Sequence, residues 1–353
     1  MKRAHSLPAD DAIAGVLIGT AVGDALGLPM EGLSAGRQRR LFPGALRHRL
    51  LGRWGMISDD TEHTLMLAQA LLAHPNDAAA FQRCFAWKLR WWLVSLPAGV
   101  GFATLRAILK LWIGIPPQKS GIFSAGNGPS MRSALLGVYF AESPEQRRRF
   151  VSASTRLTHC DPRAEVAALA VAETASWMAQ RSNDAGDLLK LLQNLSQDPE
   201  WQGLVQRLHS SFDQKETVSE FARTIGCLHG VSGYAFRTVP VAIYAALMHQ
   251  NDFPAALTSV IACGGDTDTV AAITGALVGA RLGVGAIPDA WTTGIRDWPR
   301  SPDLARRIAA RLYEQQHLQA GPVRYFWPAI PLRNLIFLGV VLIHGLRRLF
   351  PPY

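Results

Sequence analysis

The stretch Cys263-Gly264-Gly265-Asp266-Thr267-Asp268-Thr269-Val270 alternates two carboxylates with threonine hydroxyls behind a pair of glycines. An all-oxygen set of this kind suits a hard cation such as Mg²⁺. A second arm lies about two hundred residues earlier, at Ser58-Asp59-Asp60-Thr61, where adjacent carboxylates are again flanked by hydroxyls. Two arms have the donors for two ions. The same residue types are also preferred helix N-caps, favoured by the helix dipole and the free backbone N–H groups. Each arm does precede an apolar helical run, Leu65, Met66, Leu67, Leu71 and Leu72 after the first and Val270, Ile273, Leu277 and Val278 after the second. Glu62 stands where it would complete a capping box from Asp59. A cap needs one oxygen, whereas each arm offers at least three, and the surplus acidity points to a cation.

Holding two distant arms together requires a large folded body. The chain has 353 residues, 48% of them hydrophobic, enough to bury a sizeable core. Apolar segments of helical period dominate and period-two strand patterns are scarce, so the expected class is all-α, a single compact orthogonal helical bundle. Residues 1–310 are expected to form the domain and 311–353 a C-terminal extension. The first helix, from about Asp11 to Leu26, carries Gly15, Gly19 and Gly23 four residues apart, which lets another backbone approach along that stripe. Beyond Asp24, Leu28-Pro29-Met30-Glu31-Gly32 reads as a turn that projects Glu31 into a cleft or into solvent. The loop Gly121 to Arg132 offers N–H groups to a phosphate or hydroxyls, with Asn127 reaching over a ligand. His159 opens another helix, as a ligand contact or a structural histidine. Tyr234, among Gly230 and Gly233, either stacks on a base or is buried in a tight turn. Trp87, Trp91 and Trp92 read as core.

The net charge is +9, carried by thirty Arg and six Lys. The arginines are scattered with no aromatic-interleaved motif, so no nucleic-acid partner is expected. Four isolated cysteines, Cys84, Cys160, Cys227 and Cys263, indicate neither a zinc site nor a disulfide framework and read as reduced thiols in a cytoplasmic protein. Ile13 to Gly19 reads as a helix continuing into Gly23-Asp24, not as a leader. Leu335 to Leu346, apolar except for His344, reads as a run too short to span a bilayer, expected to pack on the body or a partner, with a membrane surface as the alternative.

Taken together and in order, Gly19 to Glu31, Ser58 to Thr61, Gly126 to Arg132, Thr158 to Ala164, Gly230 to Tyr234 and Gly264 to Thr269 resemble the ADP-ribosylglycohydrolase family, which includes ADP-ribosylarginine hydrolase and the dinitrogenase-reductase-activating glycohydrolase. The resemblance spans about residues 11 to 285. It implies an all-α domain with a binuclear Mg²⁺ centre, Mn²⁺ often substituting, at the floor of a cleft. By position it makes Ser58, Asp59, Asp60, Asp266, Asp268 and Thr269 the metal ligands. It places Asn127 and Gly128 at the ribose, His159 on the substrate side and Tyr234 at the nucleotide end, with Ser130, Met131 and Gly233 as further substrate contacts. Ser58 stands where the family usually has threonine, and Pro129 where a small residue is expected.

The implied reaction is hydrolysis of the N-glycosidic bond between ribose C1″ and an arginine guanidinium, with oxocarbenium character on the sugar. Two ions roughly 3.5–4 Å apart would orient the ribose hydroxyls and acidify a water. Asp60 or Asp268 would assist its attack, and Glu31 would position or protonate. The alternatives are another ADP-ribose linkage, such as serine-linked or O-acetyl-ADP-ribose, or an immunity protein that neutralises an ADP-ribosyltransferase toxin by direct binding as well as by hydrolysis. A generic two-metal phosphohydrolase is a third.

Overall fold

The computed structural model describes residues 9–182, 184–317 and 320–350. Among these residues there are seventeen α-helices and only two strands of two residues each, an all-α fold as the periodicity predicts. Seven helices position the site and its support: α1 (Ala9–Gly27), α2 (Asp59–Ala73), α3 (Ala78–Val94), α4 (Pro162–Ala179), α5 (Ala235–Met248), α6 (Thr267–Leu282) and α7 (Ile330–Arg347).

α1 and α6 are the central pair. Gly15, Gly19, Gly23 and Gly27 face Gly279, Gly275, Ala271 and Thr267 in that order, so the helices run antiparallel with their backbones in contact. A β-carbon on any of the four glycines would strike the opposing main chain. The stripe seen in the sequence therefore has its partner, and that partner carries the second acidic arm. Antiparallel pairing sets the N-terminus of α6 against the C-terminus of α1, where Thr267 Oγ1 donates to Gly27 O at 2.8 Å. Asp24 and Glu31 lie at that same end.

Around the pair, one buried apolar cluster runs from Ala12 to Val323, with α4 and α5 packed against α6. The run Asp11 to Met30 is buried nearly throughout, a core helix. The four cysteines are free thiols.

Three expectations change. Glu62 makes no capping box with Asp59: the N-cap of α2 is Ser58, and Glu62 instead accepts from Trp92 Nε1 at 2.6 Å and pairs with Arg300 at 2.6 Å. Of the tryptophans on α3 only Trp92 is core, while Trp87 and Trp91 are about half exposed, at 55% and 50%. The terminal helix is longer than its apolar run: with the preceding turn, Trp327–Arg347 has 21 residues and holds an 18-residue window of mean hydropathy 1.8, long and apolar enough by those measures to cross a membrane. Arg333 and Asn334 break the run in the sequence, but both turn inward. Arg333 pairs with Asp297 at 2.5 Å, and Asn334 donates to Ser95 O at 2.8 Å. Phe337 packs with Leu28, Leu50 and Met56, laying α7 along the body.

Candidate active site

Asp24 organises the floor. Fully buried at the end of α1, its carboxylate accepts the Ser58 N–H at 2.9 Å, the Thr61 N–H at 3.2 Å and the Thr61 hydroxyl at 2.5 Å. These are free groups of the first turn of α2, so a carboxylate from α1 fixes where the first arm points. The second arm is fixed by glycines. Gly264 and Gly265 have φ of 79° and 83° and pair antiparallel with Ser34 and Leu33, while Val231 brackets them through bonds to Gly264 O and from Asp266 N, each 2.8 Å. A side chain fits neither glycine, because the backbone is left-handed there and other main chains touch it.

The arms meet. Thr269 Oγ1 donates to Asp60 Oδ2 at 3.2 Å across 209 residues of chain, and Ser58 Oγ donates to the same carboxylate at 3.4 Å. The other oxygen, Asp60 Oδ1, is buried without a hydrogen-bond partner. Asp266 begins α6 without using its side chain as a cap and instead accepts from Asn127 Nδ2 at 2.6 Å.

Burial raises Asp24 to about 6 against the hydrogen bonds from Thr61 and Ser58, and burial followed by mutual repulsion holds Asp59, Asp60 and Asp268 well above the usual carboxylate range. For Asp59 the chief repelling neighbours are Asp24 and Glu62, for Asp60 they are Asp59 and Asp24, and for Asp268 they are Glu31 and Asp266. Among the described residues none of Asp24, Glu31, Asp59, Asp60, Asp266 and Asp268 enters an ion pair; the twelve pairs found lie elsewhere. Nor do three Asp, Glu, His or Cys side chains there form a ready coordination cluster. The donor set is mixed, with carboxylates interleaved with the hydroxyls of Ser58 and Thr269, and it has an acceptor to spare in Asp60 Oδ1. Such oxygens fit a hard divalent cation.

Glu31 stands at the exposed rim. Loss of hydration and the nearby Asp266 raise it, and Arg348 opposes them. Arg348, just past α7, donates to Glu31 O at 2.8 Å and to Pro29 O at 2.6 Å, while His344 bonds Pro29 O at 2.9 Å. The terminal extension therefore clamps the turn that carries Glu31.

The opposite wall is built on Arg132. This side chain is fully buried with no carboxylate on it, donating instead to Gly128 O at 3.1 Å, Ser154 Oγ at 3.0 Å, Thr158 Oγ1 at 2.9 Å and His63 Nδ1 at 3.2 Å. Burial brings it down to about 9. Because the guanidinium only donates, Thr158 Oγ1 accepts there and has its own proton for His159 Nδ1, 2.9 Å away. His159 then carries its proton on Nε2, the nitrogen beside Gly126 and Gly128. Burial and Arg132 hold the ring neutral, with its pKa near 3.

Asn127 is locked by its bond to Asp266, by Thr238 Oγ1 at 3.0 Å and by its own N–H to Gly233 O at 3.0 Å. Pro129 sits in helical geometry before the 3₁₀ turn Ser130–Arg132, so the departure at this position suits the local backbone. Tyr234 is half-buried, its hydroxyl donating to Glu200 at 2.7 Å and its ring flanked by Arg163 at 5.8 Å and Arg237 at 5.7 Å.

The structure thus brings Ser58, Asp59, Asp60, Asp266, Asp268 and Thr269 to one floor, Glu31 to its rim, and Asn127, Gly128, His159, Gly233 and Tyr234 to the walls joined to it. Two expected contacts change. Ser130 is fully buried with an unpartnered hydroxyl, and Met131 packs in the core, which leaves their main chains as what they offer a ligand. Sequence reasoning gave no role to Asp24, Arg132 or Arg348. Asp24 and Arg132 fall inside the family-like motifs and their charge was the available signal; for Arg348 there was none.

Comparison with known proteins places this geometry in a class. The model of the ADP-ribosylglycohydrolase family matches residues 6–320, and the chain belongs to that family. An uncharacterised protein of Archaeoglobus fulgidus is 31% identical over 310 residues, 84% of this chain and 94% of the relative. The ADP-ribosyl-[dinitrogen reductase] glycohydrolase of Rhodospirillum rubrum is 28% identical over 86% of this chain and 96% of its own length. Human ADP-ribosylhydrolase ARH3 is 28% identical over 54% of this chain and 59% of its own. A solved ADP-ribosylglycohydrolase-related protein complex superposes with a TM-score of 0.64 at 27% identity, covering 87% of this chain and 98% of that one.

Proposed function

We propose that this member of the family removes ADP-ribose from modified arginine side chains, using two Mg²⁺ ions, or Mn²⁺ in their place, held by Ser58, Asp59, Asp60, Asp266, Asp268 and Thr269. The supporting observation is the acidic floor, whose carboxylates enter no ion pair among the described residues and in which Asp60 Oδ1 is buried without a hydrogen-bond partner. Leaving such carboxylates uncompensated is costly, and a cation or protons must answer the charge. Bound ions would hold the ribose hydroxyls and acidify a water.

The chain's own groups supply the rest. Asp60 or Asp268 takes a proton from the attacking water as the O–C1″ bond forms and the C1″–N bond breaks. The departing guanidine nitrogen needs a proton, and Glu31, whose carboxyl is raised at the rim, is placed to donate or position it. Asn127, held on two sides, orients the sugar. The neutral His159 offers an Nε2–H without adding positive charge beside an oxocarbenium-like centre. The rings and guanidiniums around Tyr234 suit an adenine and its diphosphate.

The Rhodospirillum rubrum relative, matched over nearly its whole length, acts by name on an ADP-ribosylated protein, which favours a protein substrate here too. Arginine-linked, serine-linked and O-acetyl-ADP-ribose substrates assayed side by side test the linkage. Release from arginine at least about a hundredfold faster than from the others supports it. Faster release from serine or the acetyl ester would contradict it while leaving the metal site standing.

A further inference from the structure

α7 is built inside out for a helix facing water. Its polar side chains turn inward: Arg333 onto Asp297 and Glu62, Asn334 onto Ser95, and His344 onto Pro29. Its apolar ones turn outward, with Leu332, Leu335, Ile336, Leu342, Ile343 and Leu346 between 53% and 70% exposed. Every exposed residue from Phe326 to Leu346 is apolar. The face continues sideways, because Trp327, Ile330 and Pro331 share a cavity of about 650 Å³ with Trp87 and Trp91 of α3. Trp91 in turn stands edge-on to Trp112, 6.1 Å away and 43% exposed. Arginines close both ends, Arg324 before the helix and Arg347 at its last turn, both exposed.

We propose that α7 docks this protein in the plane of an anionic membrane surface, its outer apolar face entering the lipid while Arg324 and Arg347 meet headgroup phosphates. Water is a poor solvent for such a face, and three features favour lipid over a protein partner. A protein interface carries about one hydrogen bond per 100–200 Å², yet among the exposed residues from Phe326 to Leu346 the indole N–H of Trp327 is the one side-chain hydrogen-bonding group. Tryptophans at the border of an apolar surface match the headgroup zone, where indole is both apolar and hydrogen-bonding. The basic ends and the +9 net charge complement acidic lipids. The helix lies in the surface and does not cross it, because leaving the body would break the Arg333–Asp297 pair, carrying an unpaired Arg333 into hydrocarbon and leaving Asp297 behind uncompensated.

Flotation of the full chain with phosphatidylcholine vesicles, with and without phosphatidylglycerol, tests this directly. The unaltered protein should float with the anionic vesicles. The double variant Leu335→Glu, Ile343→Glu should lose about tenfold or more of the bound fraction. Its thermal midpoint should stay unchanged, because both side chains already face outward at 53% and 70% exposure. Lys190→Glu, at an exposed position far along the chain from α7, should float like the unaltered chain. A chain that stays unbound on both vesicle types, or binding indifferent to the double substitution, overturns the proposal. A dimer in sedimentation that the double variant dissociates, with no vesicle binding, overturns it in favour of a second copy. Equal flotation on both vesicle types overturns the role given to Arg324 and Arg347.

Discussion

Asp24 has two effects that oppose each other: it fixes the first turn of α2 by accepting three hydrogen bonds, and it adds a charge to a site already crowded with them. Its pKa of about 6, raised from 3.8 by burial, makes the metal-free protein bind more protons folded than unfolded between those values. Stability contributed by this group is therefore full below about pH 4 and is lost as pH rises through 6, an effect of roughly 3 kcal/mol from Asp24 alone. We expect the chelator-treated protein to melt at a higher temperature at pH 5 than at pH 7. Mg²⁺ at a hundred times its dissociation constant should restore about 2.7 kcal/mol at pH 7. Calorimetry that finds neither a pH nor a Mg²⁺ response would contradict a cation-holding floor. Asp60→Asn removes one repelling charge together with the proposed metal ligand and base. Turnover should fall by at least about a hundredfold while the metal-free midpoint rises. His159, neutral with a pKa near 3, should contribute no limb near pH 6.5 to the rate profile.

At the level of elements the antiparallel contact of α1 with α6 decides where the chemistry is, because it sets Asp268 beside the end of α1. Gly19→Leu would force the backbones apart and should cost about 3 kcal/mol or more in urea unfolding. Gly36→Ala, in an exposed helix turn with open space around it, should be neutral or mildly stabilising by about 0.5–1 kcal/mol. This contact was legible in the sequence: glycines four apart mark a close approach, and the acidic arms declare themselves by having more oxygens than a cap uses. What a sequence cannot show is which way a polar side chain turns. Glu62 at a capping-box spacing went to Arg300, and Arg333, which breaks an apolar run on paper, became the inner anchor of α7. Trp87, Trp91 and Trp92 look alike in one helical segment, yet their directions around α3 put one in the core and two outside. Met131 fell inside a motif of the cleft but packs in the core, because the 3₁₀ turn Ser130–Arg132 is buried along its whole length.

At the scale of the whole molecule the terminal extension is part of the site's support. It lies largely beyond the family match at 6–320, yet Arg333 reaches Ile57 O and Asp297 beneath the first arm and Arg348 holds the Glu31 turn. Removing one member of the buried Arg333–Asp297 pair, as in Arg333→Met, should cost about 3–5 kcal/mol by stranding the other. Arg348→Ala should loosen the turn and lower turnover with little change in melting, and Arg348→Lys should recover part of it. On the proposed reading, two arms over two hundred residues apart form one metal-dependent hydrolytic centre. Its most direct test is release of free ADP-ribose from a protein mono-ADP-ribosylated on arginine, measured with Mg²⁺, with EDTA and with the Asp268→Asn variant. We expect rapid release with Mg²⁺, none with EDTA, and a loss of at least about a hundredfold in the variant. Release that proceeds equally well in EDTA, or in Asp268→Asn, would contradict it.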